Sequence, residues 1–360
     1  MPAQKFAEKS PRILVMRAGA IGDTLMATPL LRAIRQTYPS AYLGAICSST
    51  SFDVLRYNPH LDEVFSITHR HLPGFLSLEK RRIANHFRSL RLDSILCLEA
   101  SAEFTNFACR IGAKRIFTYS RSEPSGSIEL LEWDVNEHSI ESHLRSGRSI
   151  GAENAGKDME FHYPAEIDAA LRQKLKENQI EESDLVIGIH AGWGGRRQHP
   201  TDTRLRSWPA DRFSEVVGWL KEQFNATIVL TGSATDYPLN EYIAKSSGVD
   251  CLNLAGTLTL LESAALIWRM NLYITIDSGP AHMAAALGTP LVTLWGPGIF
   301  TATAPVSEKS PIEIIRSPPL CAPCYGTNYM KSCTDNICMK QIEVDDLKAA
   351  VKKILEKSEF

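Results

Sequence analysis

The sequence predicts an α/β protein built from two similar domains, and three observations carry that prediction. Short apolar strands alternate with amphipathic helices from residue 12 to about 119. The same alternation restarts near residue 184 and runs through "TPLVTLWGP" at 289–297. The 360 residues suffice for two domains of ordinary size. Continuous apolar strands separated by helices indicate parallel sheets covered on both faces. The expected division is an N-terminal domain over 1–165, a C-terminal domain over 166–340 and a final helix in 341–360. The path of that helix stays open between packing on the second half and crossing back to the first.

The opening stretch "ILVMRAGAIGDTLMATPLLRAI" (13–34) reads as strand, glycine turn and amphipathic helix. Strands are expected at 12–17, 41–47, 61–67, 93–98 and 115–119, with helices at about 23–38, 51–57, 79–90 and 103–111. Residues 120–165 are polar and weakly periodic, and read as loops leading to a linker. In the second half, strands are expected at 184–190, 226–231, 251–254 and 271–276. Helices are expected at 211–223, 238–247 and 260–269, and then in "DSGPAHMAAALG". The last helix, 343–356, carries Val344, Leu347, Val351 and Leu355 at helical spacing.

Composition narrows the function. A net charge of −2 gives no case for nucleic-acid binding. No apolar run approaches the ~18 residues of a membrane span, and "MPAQKFAEKS" lacks the apolar core of a signal peptide. The expectation is a cytoplasmic protein, with a peripheral hold on the inner face of the membrane left open. Cys47, Cys97, Cys109 and Cys251 fall in or beside apolar elements and are expected to be reduced core residues. No G-x-G-x-x-G or G-x-x-x-x-G-K-[ST] pattern is present, which disfavours a dinucleotide dehydrogenase or a P-loop enzyme.

In parallel α/β sheets ligands bind at the carboxyl ends of the strands, so the loops there carry the candidates. "DSGPAH" places Ser278, Gly279 and Pro280 at a helix start, where free N–H groups and the helix dipole favour an anion. Asp277 and His282 flank this turn, and a helix cap and a surface histidine are the plain alternatives. "HAGWGGRRQ" offers glycines for close approach to a phosphate, with Arg196, Arg197, Arg204 and Arg206 nearby. Asp236 follows a strand end and suits either a ribose hydroxyl or a helix cap. Asp23 stands in a first helical turn of the first half, either as a dipole-stabilised acid or as a general base.

Taken together, "RAGAIGDTLMATPLLRAIRQTYP", "HAGWGG…RSWPADRF", "LTGSATD", "NLAGTLTLLESAALI" and "IDSGPAHMAAALGTPLVTLWGP" resemble the successive blocks of glycosyltransferase family 9. These are the ADP-heptose:lipopolysaccharide heptosyltransferases and their relatives. The resemblance runs in order from about residue 12 to the end. It implies a GT-B fold, two Rossmann-like domains facing across a cleft, with donor on the C-terminal and acceptor on the N-terminal domain. It further implies an inverting transfer with no cofactor required. Asp23 then matches the catalytic base, and Gly192 and Trp193 the loop that contacts the donor phosphates. Asp236 matches an acidic ribose contact, Leu254 to Leu258 the adenine site, and Asp277, Ser278, Gly279 and His282 the donor-sugar turn. Arg206 falls where many members carry Lys, so a planar guanidinium replaces an ammonium beside the leaving group.

Two features bear on partners. The basic segment 69–91 includes Arg70, Lys80, Arg81, Arg82, Arg88 and Arg91. It reads either as a solvated helix face or as a contact to a phosphorylated lipopolysaccharide-core acceptor or an anionic membrane, with Arg81, Arg82 and Arg88 as candidates. "CAPCYGTNYMKSCTDNIC" groups Cys321, Cys324, Cys333 and Cys338, which suit a structural zinc or iron, free thiols or a labile disulfide. The expected activity is heptose transfer from ADP-heptose to an inner-core or related glycan. Another nucleotide-sugar donor, a protein acceptor, a nucleotide-sugar epimerase and a non-catalytic nucleotide binder are the competing readings.

Overall fold

A computed structural model describes residues 10–69, 72, 76–119, 127–192 and 206–356. The chain divides into two compact units, 1–162 and 163–360.

In the first unit the chain runs β1 (Arg12–Arg17), α1 (Ile21–Leu25), α2 (Thr28–Thr37), β2 (Tyr42–Ser48), α3 (Phe52–Leu55) and β3 (Glu63–Ile67). It continues through α4 (Leu78–Ser89), β4 (Leu92–Cys97), α5 (Ala102–Ile111), β5 (Ala113–Thr118), β6 (Ile128–Leu130) and α6 (Ser139–Arg148). The sheet order is β3-β2-β1-β4-β5-β6, and every pairing is parallel. β1 and β4 are buried almost throughout, which explains the apolar runs Ile13–Met16 in β1 and Ile95–Cys97 in β4. Leu14, Met16, Ile46, Ile95, Phe87, Phe104 and Phe107 form the core between sheet and helices.

The second unit opens with α7 (Ala165–Glu177), β7 (Val186–His190), α8 (Ala210–Phe224), β8 (Thr227–Leu230) and α9 (Tyr237–Ser247). β9 (Cys251–Asn253), α10 (Leu260–Trp268), β10 (Leu272–Ile276), α11 (Gly279–Leu287), β11 (Leu291–Trp295), α12 (Phe300–Thr303) and β12 (Ile312–Arg316) follow. α13 (Asn328–Ser332), α14 (Ile337–Lys340) and α15 (Val344–Leu355) complete it. Its sheet order, β12-β11-β10-β7-β8-β9, repeats that of the first unit and is again parallel throughout. Each unit is therefore a doubly wound Rossmann-type sheet, with its order reversing between the first and fourth strands.

Several elements differ from the sequence expectation. The single helix expected over 23–38 is two helices, because Pro29 sits in the first turn of a new one and Thr28 Oγ bonds back to the Leu25 carbonyl at 2.7 Å. The stretch expected to be loops holds β6 at a sheet edge and α6, whose Gly147 packs against Leu30 of α2 so closely that a β-carbon would lie 2.6 Å from Leu30 Cδ1. α15 buries Val344, Leu347, Val351, Ile354 and Leu355 in the core of the second unit with Phe213, Val217 and Leu294. Cys47 and Cys97 are buried, whereas Cys109 is exposed rather than a core residue.

Candidate active site

The crevice beside a reversal of strand order is where doubly wound sheets bind ligands, because the flanking loops run to opposite faces. In the first unit that point lies between β1 and β4. Arg17, the last residue of β1, sends one guanidinium nitrogen to Asp23 at 2.8 Å and another to Glu99 at 3.0 Å. Glu99 is almost fully buried just past β4, and it also accepts the Ala18 N–H at 2.9 Å. Asp23 takes the Ala20 N–H on its second oxygen at 3.0 Å and keeps about a third of its side chain exposed. Gly19 makes this turn possible, since a β-carbon there would sit 2.4 Å from that of Asp23. Burial opposes the Arg17 charge, yet the two carboxylates outweigh it and raise its pKa above the ordinary guanidinium value. His143 is buried nearby and donates from Nδ1 to the Met26 carbonyl at 3.0 Å. Burial, with the Arg17 charge, drives its pKa down to about 3, so it is neutral.

In the second unit the reversal lies between β7 and β10. His190 ends β7 and is buried; burial lowers its pKa against the opposing charge of Asp236. Asp236 is fully buried, and one of its oxygens accepts the Ser233 N–H and hydroxyl at 2.8 and 2.7 Å. Gly192 lies so close that a β-carbon would stand 2.1 Å from the other Asp236 oxygen. As placed, the Asp236 carboxylate fastens the loop after β8 and lies against Gly192 of the loop after β7. Gly256 bonds to the Gly232 carbonyl at 2.9 Å, which brings Leu254 and the half-buried Leu258 beside that loop.

Beyond β10, Asp277 is nearly buried, with Oδ2 3.3 Å from Arg206 Nε. Burial pushes its pKa above the usual carboxylate value, and Arg206 opposes this. Arg206 also lies over the Tyr325 ring at 4.4 Å, so the cysteine-bearing tail supports it. The helix cap of α11 is Ser278 rather than Asp277, and its hydroxyl turns to Thr275 at 3.2 Å instead of capping the helix. Gly279 begins α11, and His282 is buried on it rather than lying at the surface. Among the described residues, His190 Nδ1, Asp236 Oδ1 and Asp277 Oδ2 are buried without a hydrogen-bond partner. Trp193, Arg196, Arg197 and Arg204 lie outside the described residues.

The remaining candidates separate. Lys80 is a core residue: its ammonium meets the Leu72 carbonyl at 2.6 Å and Glu103 at 3.1 Å, near the rings of Phe104 and Phe107. Arg81 and Arg82 are exposed in the first turn of α4, while Arg88 is exposed in its last. Cys321, Cys324, Cys333 and Cys338 line one cavity of about 50 Å³ with Tyr329. Among the described residues no group of three or more His, Cys, Asp or Glu side chains is arranged to hold a metal ion. Burial and the neighbouring cysteines push the Cys338 thiol up to about 11.

Two doubly wound units, each with charged or glycine-lined loops at its strand-order reversal, make up a two-Rossmann α/β architecture. The model for glycosyltransferase family 9 (heptosyltransferase) matches residues 107–333, and the chain belongs to that family. It is similar to lipopolysaccharide heptosyltransferase 2 of Salmonella typhimurium, 26% identical over 312 residues that cover 83% of this chain and 86% of the relative. The crystal structure of a family 9 glycosyl transferase from Veillonella parvula superposes with a TM-score of 0.84 at 19% identity, covering 99% of this chain and 100% of that one. E. coli heptosyltransferase WaaC, solved with ADP-2-deoxy-2-fluoro heptose, superposes with a TM-score of 0.67 at 15% identity, covering 95% and 99%. The chain is thus a GT-B glycosyltransferase of the heptosyltransferase family.

Proposed function

We propose that the chain transfers a heptose from ADP-heptose to a hydroxyl of a lipopolysaccharide inner core or related surface glycan, with inversion at the anomeric carbon. The observation that carries the mechanism is Asp23, a partly exposed carboxylate held on both oxygens at the strand-order reversal of the first unit. Asp23 takes the proton of the acceptor hydroxyl as its oxygen bonds to the anomeric carbon. The bond from that carbon to the diphosphate oxygen breaks, and ADP leaves with the electron pair. One base suffices for such a single displacement, unlike the paired carboxylates of most glycosidases. The turn at Ser278 and Gly279, the Gly192 loop with Trp193, and Arg206 offset the charge that grows on the leaving diphosphate. Leu254 and Leu258 lie against the adenine, and Asp277 and His282 face the donor sugar. In this reading Arg81 and Arg82, at the end of α4 nearest the strand carboxyl ends, contact a phosphorylated acceptor. The relatives support this reading: heptosyltransferase 2 by its name, and WaaC by the ADP-heptose analogue it was solved with. The reaction as proposed uses no cofactor.

Asp23→Asn tests the assignment. Its kcat with ADP-heptose and core acceptor is expected to fall by about 10²–10⁴-fold, while ADP binding measured by calorimetry stays unchanged. Wild-type turnover in that variant would remove Asp23 as the base.

A further inference from the structure

Arg17 serves two carboxylates at the strand-order reversal of the first unit, and they differ sharply in burial. Asp23 keeps 36% of its side chain exposed, whereas Glu99 keeps 4%. The sheet carries Glu99 to this place. The Leu98 N–H bonds to the Met16 carbonyl at 2.9 Å, which continues the β4 chain alongside β1 for one residue more. One Glu99 oxygen then accepts the Ala18 N–H at 2.9 Å and Arg17 Nη1 at 3.0 Å. An ionised carboxylate is costly to bury, and a glutamine oxygen can accept the same two hydrogen bonds without that cost. The hydrogen bonds therefore explain an acceptor at residue 99 but not a charge.

The charge acts on Asp23. An arginine paired with one carboxylate favours the ionised form and weakens it as a base, by about 1–3 pH units. Here the guanidinium is divided, with Nη2 on Asp23 and Nη1 on Glu99. Asp23 thus gains the fork that holds it in place, while the buried acid offsets the positive charge of that fork. The other groups around this turn leave the balance as it is. His143 on α6 is neutral. Ser48, the last residue of β2, donates its hydroxyl to the Gly19 carbonyl at 2.7 Å. Asp53 in the first turn of α3 is paired with Arg56.

We propose that Glu99 sets the base strength of Asp23, as a positioning residue that shares Arg17 with it. The consequence for turnover rests on the reading of Asp23 as the base. The electrostatic coupling between the two carboxylates does not.

Glu99→Gln removes the charge and keeps the acceptor oxygen. The full chain is labelled at its aspartate carboxyls and titrated by NMR, with the Asp23 signal identified by its absence in Asp23→Asn. The pH dependence of kcat/KM is measured in parallel with ADP-heptose and core acceptor. Loss of the negative charge disfavours the protonated form of Asp23. Its midpoint and the acid limb of kcat/KM are therefore both expected about one pH unit lower than in the wild type. At neutral pH kcat is expected to fall roughly three- to tenfold, with ADP binding unchanged. A folded Glu99→Gln whose Asp23 midpoint is unchanged or higher overturns the proposal, and any lost activity is then a packing effect. A lowered midpoint with an unmoved acid limb upholds the coupling and removes Asp23 as the base. If Glu99→Gln does not fold, the wild-type titration decides. An Asp23 midpoint within the usual carboxylate range supports the sharing of Arg17; one well below it means that Arg17 acts on Asp23 alone, which overturns the proposal.

Discussion

Arg17 shows how much a single residue can organise here. Its planar guanidinium reaches two carboxylates through two different nitrogens, and so ties the loop after β1 to the residue that follows β4. A lysine keeps the charge but donates from one point and cannot hold both geometries. If Asp23 is the base, its position relative to the acceptor hydroxyl is fixed by that fork. Arg17→Lys is therefore expected to lower kcat by about ten- to a hundredfold while the KM for ADP-heptose is unchanged. In the Asp23→Asn background the same substitution should have almost no further effect. Steady-state kinetics of the two single variants and the double variant decides this. Equal losses from Arg17→Lys with and without Asp23 would mean that the arginine acts on something else. Lys80 shows the opposite case, a cation whose charge serves the core between α4 and α5 and not a ligand.

At the level of elements, what the sequence reveals depends on whether the signal is local. β1, β4, β7 and β10 are central strands with near-continuous apolar runs, and their positions are legible. β6 and β12 are edge strands with half-exposed patterns, and α6 is a mixed stretch whose apolar face exists only against α2. Their partners, not their own residues, define them. The candidate site divides in the same way. Asp23, Asp277 and the Ser278 turn stand out because each follows an apolar strand in sequence. Arg17 and Glu99 do not, because their pairing joins residues 82 apart. Tyr325 and Arg206 likewise meet only through the fold. Asp236 was legible as a residue after a strand but not as a buried brace. Gly192→Ala tests that bracing. The added methyl would collide with the Asp236 carboxylate and displace the loop after β7 or the one after β8. We expect about 1–3 kcal/mol of destabilisation by thermal unfolding, together with weakened ADP binding. Wild-type values for both would mean that the loops move apart freely.

For the whole molecule, the two units repeat one topology while carrying different chemistry at the same topological point. The first offers a carboxylate fixed by an arginine; the second offers glycine turns, a helix start and a buried Asp277 beside Arg206. The glycine turns and the helix start suit a diphosphate, which is why the proposal places the donor on the second unit. Ligand binding stabilises the state that binds it by RT ln(1 + [L]/Kd), about 2.7 kcal/mol at a hundredfold excess over Kd. Hydrogen exchange reads where that stabilisation falls. With saturating ADP, the backbone amides following β7, β8 and β10 are expected to exchange more slowly, at residues 191–192, 231–236 and 277–282. Those following β1 and β4 are expected to keep their rates, because ADP contains no acceptor hydroxyl for Asp23 to engage. Protection confined to the loops after β1 and β4 would exchange the roles of the two units, and Asp23 would then have to be reinterpreted as a contact to the nucleotide. Protection of the second unit alone, retained in Asp23→Asn, would separate donor binding from proton transfer in the same molecule.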